Sequence, residues 1–450
     1  MHIAIIGGGP GGYEAALVAA ELGAEVTLVD RDGLGGACVL WDCVPSKALA
    51  STAESLGGLE HASAMGLLLD EVPKIDFPAV AKRITALAQA QSSDIEAKVR
   101  ASGVKLISGT ARFKGPFQLE VDEETIDFDI AVIATGSRPR ELAAAKPDGQ
   151  RILNARQVYD IGQAPERLVI VGSGATGAEF ACAFNRFGVE VTLVSSRDRV
   201  LPSEDEDAAK VLEAVFERRG IKIIKRARAN AAVANGRGAS VSLADGSTVE
   251  GTHALFTIGQ IPNSSELNLE AAGVETTEAG AVPVDGVSRT NIRHIYAAGD
   301  VTGGVMLAST AAMQGRIAIW HAMGQAVSPL RKDAIAATVF TDPEIATVGL
   351  SEPAARERGL QTECIFQPLD TNARAKMGDL RDGFVKVLCL PGSGTVVGGT
   401  VVSPHASDLV LPLSVAVHSR LNVSQLAQAF SIYPSLGGSV QEAARRLMGR

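Results

Sequence analysis

The chain has 450 residues and a formal charge of −9, which suits about three domains and leaves no basic footprint for nucleic acid. Apolar residues make up 46% and aromatics only 4%, a mix that favours α/β domains with close helix–sheet packing over a β-rich fold. Cys38, Cys43, Cys182, Cys364 and Cys389 are too sparse in a chain of this length to form a secreted disulfide framework. The apolar N-terminus lacks a basic region and runs straight into Gly-Gly-Gly-Pro-Gly-Gly, so it reads as strand and turn, not as a signal peptide. No apolar run of about 20 residues suggests a membrane span, and a cytoplasmic protein is expected.

In chain order, the first motif is IIGGGPGGYEAALVAAELGAEVTLVD, residues 5–30: an apolar strand, a Gly-rich turn, a helix and a second apolar strand. It recurs without a gap 165 residues later as IVGSGATGAEFACAFNRFGVEVTLVS, residues 170–195. In each copy the first Gly stands 23 residues before the residue that ends the second strand. This is the pattern of a dinucleotide-binding βαβ unit. Gly7 and Gly172 make the tight turn, Gly9 and Gly174 let backbone approach a pyrophosphate, and Gly12 and Gly177 let helix and strand pack closely. The pyrophosphate then rests on a helix N-terminus, where free N–H groups and the dipole favour an anion. One such motif is weak; two in register, each followed by VTLV, weigh against Gly-rich turns with no ligand. The copies differ at their ends. Asp30 is placed to hold a ribose through its 2′-hydroxyl. Ser195, Ser196 and Arg197 offer two hydroxyls and a guanidinium where a carboxylate would repel a 2′-phosphate, so NADPH is expected to serve at least as well as NADH. A solvated loop charge is the plainer reading of Arg197.

Between the copies, GGACVLWDCVPSKAL (35–49) holds C-x4-C followed by Pro-Ser-Lys. In a regular helix those two Cα atoms would stand roughly 8–9 Å apart, whereas a disulfide needs about 4.4–6.8 Å. A bridge therefore requires a distorted or non-helical segment. Pro45 suits a helix start nearby, and a cysteine at a helix N-terminus ionises more easily. The pair is expected to be redox-active, with two buried unlinked thiols as the alternative. Further on, DIAVIATGSRPR ends a strand at Ala134-Thr135-Gly136, HALFTIGQIPN ends one at Gly259, and IYAAGDVTGGVMLASTAAMQG reads as strand, Gly299-Asp300 and helix. From about residue 331 the character changes. Strand-like runs (ATVFTDPEIATVGL, GFVKVLCL, TVVGGTVVSP) and helices over 406–418, 424–429 and 440–448 predict a separate α+β domain. Cys182, Cys364 and Cys389 sit in apolar contexts and are expected to be inert core thiols.

Taken jointly, these motifs resemble the flavoprotein disulfide reductases over the whole chain, nearest the dihydrolipoamide dehydrogenase branch. The resemblance implies an α/β fold with two Rossmann-like dinucleotide-binding domains and a C-terminal α+β dimerisation domain. FAD-binding parts would span 1–148 and 265–330, an NAD(P)-binding domain 149–264, and the interface domain 331–450. It implies FAD on the first Gly motif, NAD(P)H on the second, and a homodimer. Cys43 would be the flavin-proximal thiol and Cys38 the interchange thiol. Lys47 would lie near the flavin N5, paired with Glu179. Asp300 would bind the ribityl chain, and Ala308 would offer backbone to the isoalloxazine. The same resemblance adds Pro10, Gly11, Gly36, Ala37, Ala111 and Thr176 to the cofactor-binding set.

Departures from the pattern decide the expected function. A dithiol-exchanging member needs an acid–base partner for the interchange thiol, because the thiolate is the nucleophile. The family supplies a His-Pro pair with a Glu four residues after the Pro. Here Tyr433-Pro434 and Gly438 occupy those positions, and a tyrosine, with a reference pKa of about 10, is a poor base near neutral pH. His405, His418 and Glu442 have no better claim to the role. This pattern resembles the actinobacterial LpdA-type NAD(P)H:quinone reductases, as do ARAKM (373–377) and YPSL. That group can lack the first cysteine, whereas Cys38 is present, so a disulfide can still form and cycle. The expected activity is therefore an FAD-dependent NAD(P)H:acceptor oxidoreductase that reduces quinones directly. A dithiol/disulfide oxidoreductase is the second reading, and a slow flavin redox sensor the third. Arg374 and Lys376 are candidates to attract a quinone oxygen, though ordinary surface charge is the simpler account. Trp41 either covers the disulfide or packs on the flavin-domain surface.

Overall fold

The computed structural model describes residues 1–68, 71, 73–236 and 238–449. The chain forms two compact units: Met1–Ala48 with Pro78–Arg140 and Ile258–Leu330, and Leu49–Phe77 with Glu141–Thr257 and Arg331–Arg450.

In the first unit the apolar runs HIAII and EVTLVD become neighbouring parallel strands, His2–Ile6 and Glu25–Asp30, because helices cover one face of their sheet and a small antiparallel sheet the other, so interior positions on both faces must be apolar. Ile130–Ile133 and Ile295–Ala297 extend the sheet on one side and Lys105–Ser108 on the other, all parallel. The helices Pro10–Glu21 and Ala308–Ala322 pack together where neither carries bulk: a Cβ on Gly315 would lie 2.1 Å from the Gly11 carbonyl oxygen. A three-stranded antiparallel sheet, Ala111–Gly115, Gln118–Val121 and Glu124–Asp127, buries alternate residues against the same core.

The second unit repeats the architecture and adds to it. Lys222–Ile224, Glu190–Val194, Arg167–Val171, His253–Phe256 and Ile152–Asn154 form a parallel sheet in that order. A second, antiparallel sheet runs Ala336–Val339, Glu344–Gly349, Val396–Ser403, Phe384–Cys389 and Glu363–Pro368. Helices Leu411–Ser419 and Gly438–Leu447 contribute to its core. The helix expected over 406–418 is two, Ala406–Leu409 and Leu411–Ser419, with Pro412 in the first turn of the second, where a missing N–H does no harm. Two parallel Gly-turn sheets and a C-terminal α+β part are the fold class expected from the sequence. Among the described residues no helix is long and apolar enough to cross a membrane.

Charge joins the two halves of this second unit. Lys386, only 4% exposed, donates to Asp205 at 2.8 and 3.0 Å, to Asp207 at 2.6 Å and to Glu352 at 3.4 Å. Asp205 also caps the helix Glu206–Arg218, accepting from the Asp207 and Ala208 amides. Asp342 accepts from Arg186 and, at 2.8 Å, from Arg219. Burial pushes the Asp342 carboxyl up, but the two guanidiniums outweigh it and hold it below the usual carboxylate range. Cys364 is half-buried beside the Lys386 cluster and so is not the core thiol expected of it; burial, then the charge of Glu352, pushes it up to about 12. Cys182 and Cys389 are buried.

Removing one member of a buried ion pair leaves the other uncompensated, at about 3–5 kcal/mol. Lys386→Met is therefore expected to lower the urea-unfolding free energy by about that amount, while Lys376→Met, at an exposed position, leaves it within about 0.5 kcal/mol. Equal stabilities would show that the cluster does not join the halves.

Candidate functional site

The two Gly turns have the same geometry. A Cβ on Gly12 would stand 1.8 Å from the Gly7 carbonyl oxygen, and one on Gly177 1.8 Å from that of Gly172. Gly7 and Gly172 adopt φ of 102° and 112°, and their Cβ positions lie 2.4 Å from the carbonyl oxygens of Ala134 and Thr257. At Gly9 and Gly174, by contrast, a Cβ would meet nothing within 4 Å. These residues precede the twelve-residue helices Pro10–Glu21 and Ala175–Arg186, neither of which has a side-chain cap or an acidic residue in its first turn. Each turn thus presents open backbone and an uncapped helix N-terminus, as a bound phosphate requires. Pro10 fills the first helical position of one, and the exposed Thr176 lies in the first turn of the other.

Around the first turn, Asp30 accepts from the amides of Gly8 (2.6 Å), Asp32 (2.8 Å) and Gly33 (2.7 Å), which fixes its carboxylate at the end of its strand. The Gly36 turn presses on Gly9, with a Cβ position 2.8 Å from the Gly9 Cα, and Ala37 follows it. Thr135 donates to the Asn263 carbonyl at 2.6 Å, and Asn263 returns a bond to the Thr135 carbonyl at 3.0 Å; Gly136 turns the chain with φ 67°. Ala111 has its methyl in the core, which leaves only backbone to offer a ligand. The Gly299 amide donates to Gln314 at 2.8 Å, and Asp300 accepts from Ser137 at 2.7 Å. Burial lifts the Asp300 carboxyl above its ordinary range, opposed by that Ser137 hydrogen bond. Ala308 opens a helix that no side chain caps. Gly259, with φ 105°, belongs to this unit too, its carbonyl accepting from the Arg140 amide at 2.9 Å. Ser137, Asn263 and Gln314 were missed in the sequence; only Ser137, directly after Gly136, stood beside a Gly turn.

The cysteine loop breaks between two helices, the distortion that a bridge would need, and both cysteines are unbridged. Cys38 lies in the short helix Gly36–Leu40, which ends where the Trp41 and Asp42 amides both bond the Ala37 carbonyl, at 3.0 and 2.8 Å. Cys43 starts the helix Cys43–Gly57, and Lys47 lies one turn further on. The two thiols share a side-chain hydrogen bond. That bond raises the Cys38 thiol far above its ordinary value; burial and the charges of Cys43 and Asp42 add to it, and Lys47 opposes.

In the second unit, Glu179 is 7% exposed and one of its oxygens accepts from the Phe340 amide at 2.9 Å. Ser195 corrects the expected 2′-phosphate cradle. It is fully buried, and its hydroxyl bonds Ser173 at 2.7 Å and the Arg197 and Arg199 carbonyls at 3.3 Å, so it shapes the loop from inside. Of the three, Ser196 and Arg197 are exposed, as is the neighbouring Asp198. At the C-terminus Tyr433 is 86% exposed. It shares a cleft of about 320 Å³ with Gly438, Asn372 and Glu442. Asn372 caps the helix Ala373–Met377 and donates to Ser435 (3.0 Å) and Ser439 (2.9 Å), which ties that cleft together. Arg374 and Lys376 are exposed on this helix. Glu442 is bonded by both Arg445 nitrogens, which keep its carboxyl below the usual range and make it a poor base near neutral pH. His405 is exposed, 3.8 Å from Glu54. The His418 carbonyl accepts from Arg331 at 2.7 Å.

Residues 1–315 match the family model described as pyridine nucleotide-disulphide oxidoreductase, and 335–444 match that family's dimerisation domain. The chain belongs to this family. It is 49% identical to an NAD(P)H dehydrogenase (quinone) of Mycobacterium tuberculosis, covering 99% of this chain and 94% of that one. It is 34% identical to a dihydrolipoyl dehydrogenase of Staphylococcus aureus, covering 99% and 96%. The crystal structure of LpdA from Mycobacterium tuberculosis superposes with a TM-score of 0.95 at 48% identity, all of both chains being covered. Members use FAD and NAD(P)H, and the chain is a flavoprotein oxidoreductase of this kind. The first Gly turn fits a flavin dinucleotide on the observations above: open space at Gly9, free helix N–H groups, and Asp30 at the strand end.

Gly9 has φ −68° and open space, so Gly9→Ala should fold normally yet place a methyl group in the pyrophosphate's approach. Flavin retention, read as the flavin-to-protein absorbance ratio on dilution, is expected to weaken about tenfold. Gly12→Ala should fail to accumulate folded protein. Full retention by Gly9→Ala would mean that the cradle is wrongly assigned.

Proposed function

We propose that this chain is a cytoplasmic, homodimeric NAD(P)H:quinone oxidoreductase. FAD would be held by 1–148 and 265–330, the nicotinamide nucleotide by 149–264, and the dimer by 331–450. The observation that carries the reading is at the C-terminus. Where a disulfide-exchanging relative needs a base and its carboxylate, this chain has the exposed Tyr433 and Gly438 beside an open cleft, and the nearby Glu442 is neutralised by Arg445. The relative at 49% identity carries the matching name, NAD(P)H dehydrogenase (quinone).

When bound, FAD supplies hydride acceptance from reduced nicotinamide and onward electron transfer to an acceptor. The protein's own part is to bind, orient and tune. The Gly11 amide in the first turn, where Pro10 has no N–H, and the amides after Gly174 would hold pyrophosphates, and Asp30 would accept from a ribose hydroxyl. Asp300, held by Ser137, would bind the ribityl chain, and Ala308 would offer backbone to the isoalloxazine. Lys47 would place a positive charge near the flavin, where electron density accumulates on reduction. Ser196 and Arg197 recognise the 2′-phosphate of NADPH. Cys38 and Cys43 remain a redox pair, but direct transfer to a quinone needs no thiolate.

Anaerobic NADPH oxidation by the FAD-loaded protein, with menadione and lipoamide in parallel, tests the reading. Menadione turnover is expected to exceed lipoamide turnover by at least ~100-fold, the lower range for lost acid–base help. Comparable rates would return the chain to the dithiol/disulfide oxidoreductases, the reading favoured by the Cys38–Cys43 contact. Separately, Arg197→Ala should raise the KM for NADPH about tenfold and leave that for NADH nearly unchanged. An equal rise for both would remove Arg197 from phosphate recognition.

A further inference from the structure

Gln314 is a polar residue buried where the proposed function gives it no part. It lies on the helix Ala308–Ala322 and is 7% exposed, with Ala311, Gly315 and Ala318 among the buried residues of the same helix. A buried amide costs stability unless a hydrogen bond offsets it. Its bond is set by where a strand runs out. Ile295–Ala297 is an edge strand, and its ladder with Ile130–Ile133 ends where the Ala298 amide donates to the Ile133 carbonyl at 2.9 Å. The next amide, that of Gly299, is buried past the end of the ladder, and Gln314 Oε1 accepts from it at 2.8 Å. An N–H donor requires the oxygen of the side-chain amide, so the orientation of Gln314 is fixed. Gly299 has φ 80° and ψ −154°, a conformation open to glycine and kept only where its surroundings hold it. Its carbonyl accepts from the Thr302 hydroxyl at 2.8 Å and the Thr302 amide at 2.9 Å. An added Cβ would stand 3.0 Å from that of Ala311. The residue that follows is Asp300, whose carboxyl accepts from Ser137 at 2.7 Å. The turn is thus tied at its side chain to the strand Ser137–Pro139 and at its backbone to the helix Ala308–Ala322.

We propose that Gln314 is a positioning residue for the flavin dinucleotide: its side-chain carbonyl holds the Gly299–Asp300 turn against the helix Ala308–Ala322, so that Asp300 and the backbone at Ala308 meet FAD as one rigid edge. Asp300 enters here as the ribityl ligand of the proposed function. Gln314 and Ala308 belong to one helix, so the 2.8 Å bond ties the turn to the body that begins at Ala308. Without that bond the Gly299 amide is a buried donor with no acceptor, and the turn relaxes into other conformations that glycine permits. Binding then draws on the fraction of molecules that still hold the turn, and the apparent affinity falls by that fraction.

The test measures FAD dissociation constants from the flavin fluorescence released when the FAD-loaded protein is diluted. Gln314→Met keeps the length of the side chain and removes the acceptor; it is expected to weaken FAD about tenfold, the effect of one buried donor left unpaired. Gln314→Ala, which adds no bulk, gives a second measure of the same loss. Gln314→Glu keeps an acceptor of the same reach and should hold FAD within about threefold of the wild type. In an Asp300→Ala background, Gln314→Met should add less than about threefold, because the turn then has no carboxylate to present. A glutamine that only stabilised the fold would exert its full effect in both backgrounds. Wild-type affinity in Gln314→Met and Gln314→Ala would overturn the proposal. So would a Gln314→Glu protein as weak as Gln314→Met, or losses that multiply in full in the double variant. Wild-type affinity in Asp300→Ala would sink the ribityl reading and this proposal with it, whereas a loss there beside full affinity in Gln314→Met sinks the proposal alone.

Discussion

A glycine hydrogen is the only group that fits between the Gly7 carbonyl and the backbone at Gly12, and the same holds between Gly172 and Gly177. At a Cβ-to-oxygen separation of 1.8 Å, no rotamer or small backbone shift accommodates a larger residue. That contact draws each helix onto its sheet, and the approach aims the uncapped N–H groups at the space beside Gly9 or Gly174. The two halves of the repeat are far apart in sequence yet reproduce this geometry to a tenth of an ångström. The nucleotide sites therefore follow from close packing, with polar side chains such as Asp30 and Asp300 adding selection at the rim.

Around the sulfurs, electrostatics takes over from packing. Contact with Cys43 and burial are the largest influences on the Cys38 thiol, and both push it up, with Lys47 opposing. That direction is the same as the effect of losing a base at Tyr433, since a protonated thiol is a poor nucleophile.

Much of the architecture was legible because it rests on patterns that short segments carry whole. The strands at 2–6 and 167–171 are apolar runs closed by glycine, those at 25–30 and 190–194 are apolar runs that follow one, and nothing in tertiary structure competes with that reading. Helix geometry said only that a bridge between Cys38 and Cys43 would need a break in the helix; the structure has that break, between the helices Gly36–Leu40 and Cys43–Gly57. The 25-residue helix Phe77–Ala101 went unread, because its exposed face is strongly polar and it lacks the Gly landmarks that flag its neighbours. The strand Glu363–Pro368 was likewise missed, since its side chains alternate over too few residues to stand out. Ser195 shows a different limit. A serine at a strand end reads as facing a ligand, and only the fold of the loop over it reveals that its hydroxyl points inward. Cys364 misled in the opposite sense: an apolar sequence neighbourhood lies, in space, beside four charged groups.

The charged seam within the second unit bears on how this protein could be taken apart. Cutting the chain after Leu330 would remove the Phe340 amide from Glu179, Lys386 from Asp205 and Asp207, and Asp342 from Arg186 and Arg219. The nucleotide-binding remnant would carry a buried carboxylate and a buried guanidinium stripped of those partners. The C-terminal segment thus supplies counter-charges to the nucleotide-binding half: Lys386 for Asp205 and Asp207, and Asp342 for Arg186 and Arg219.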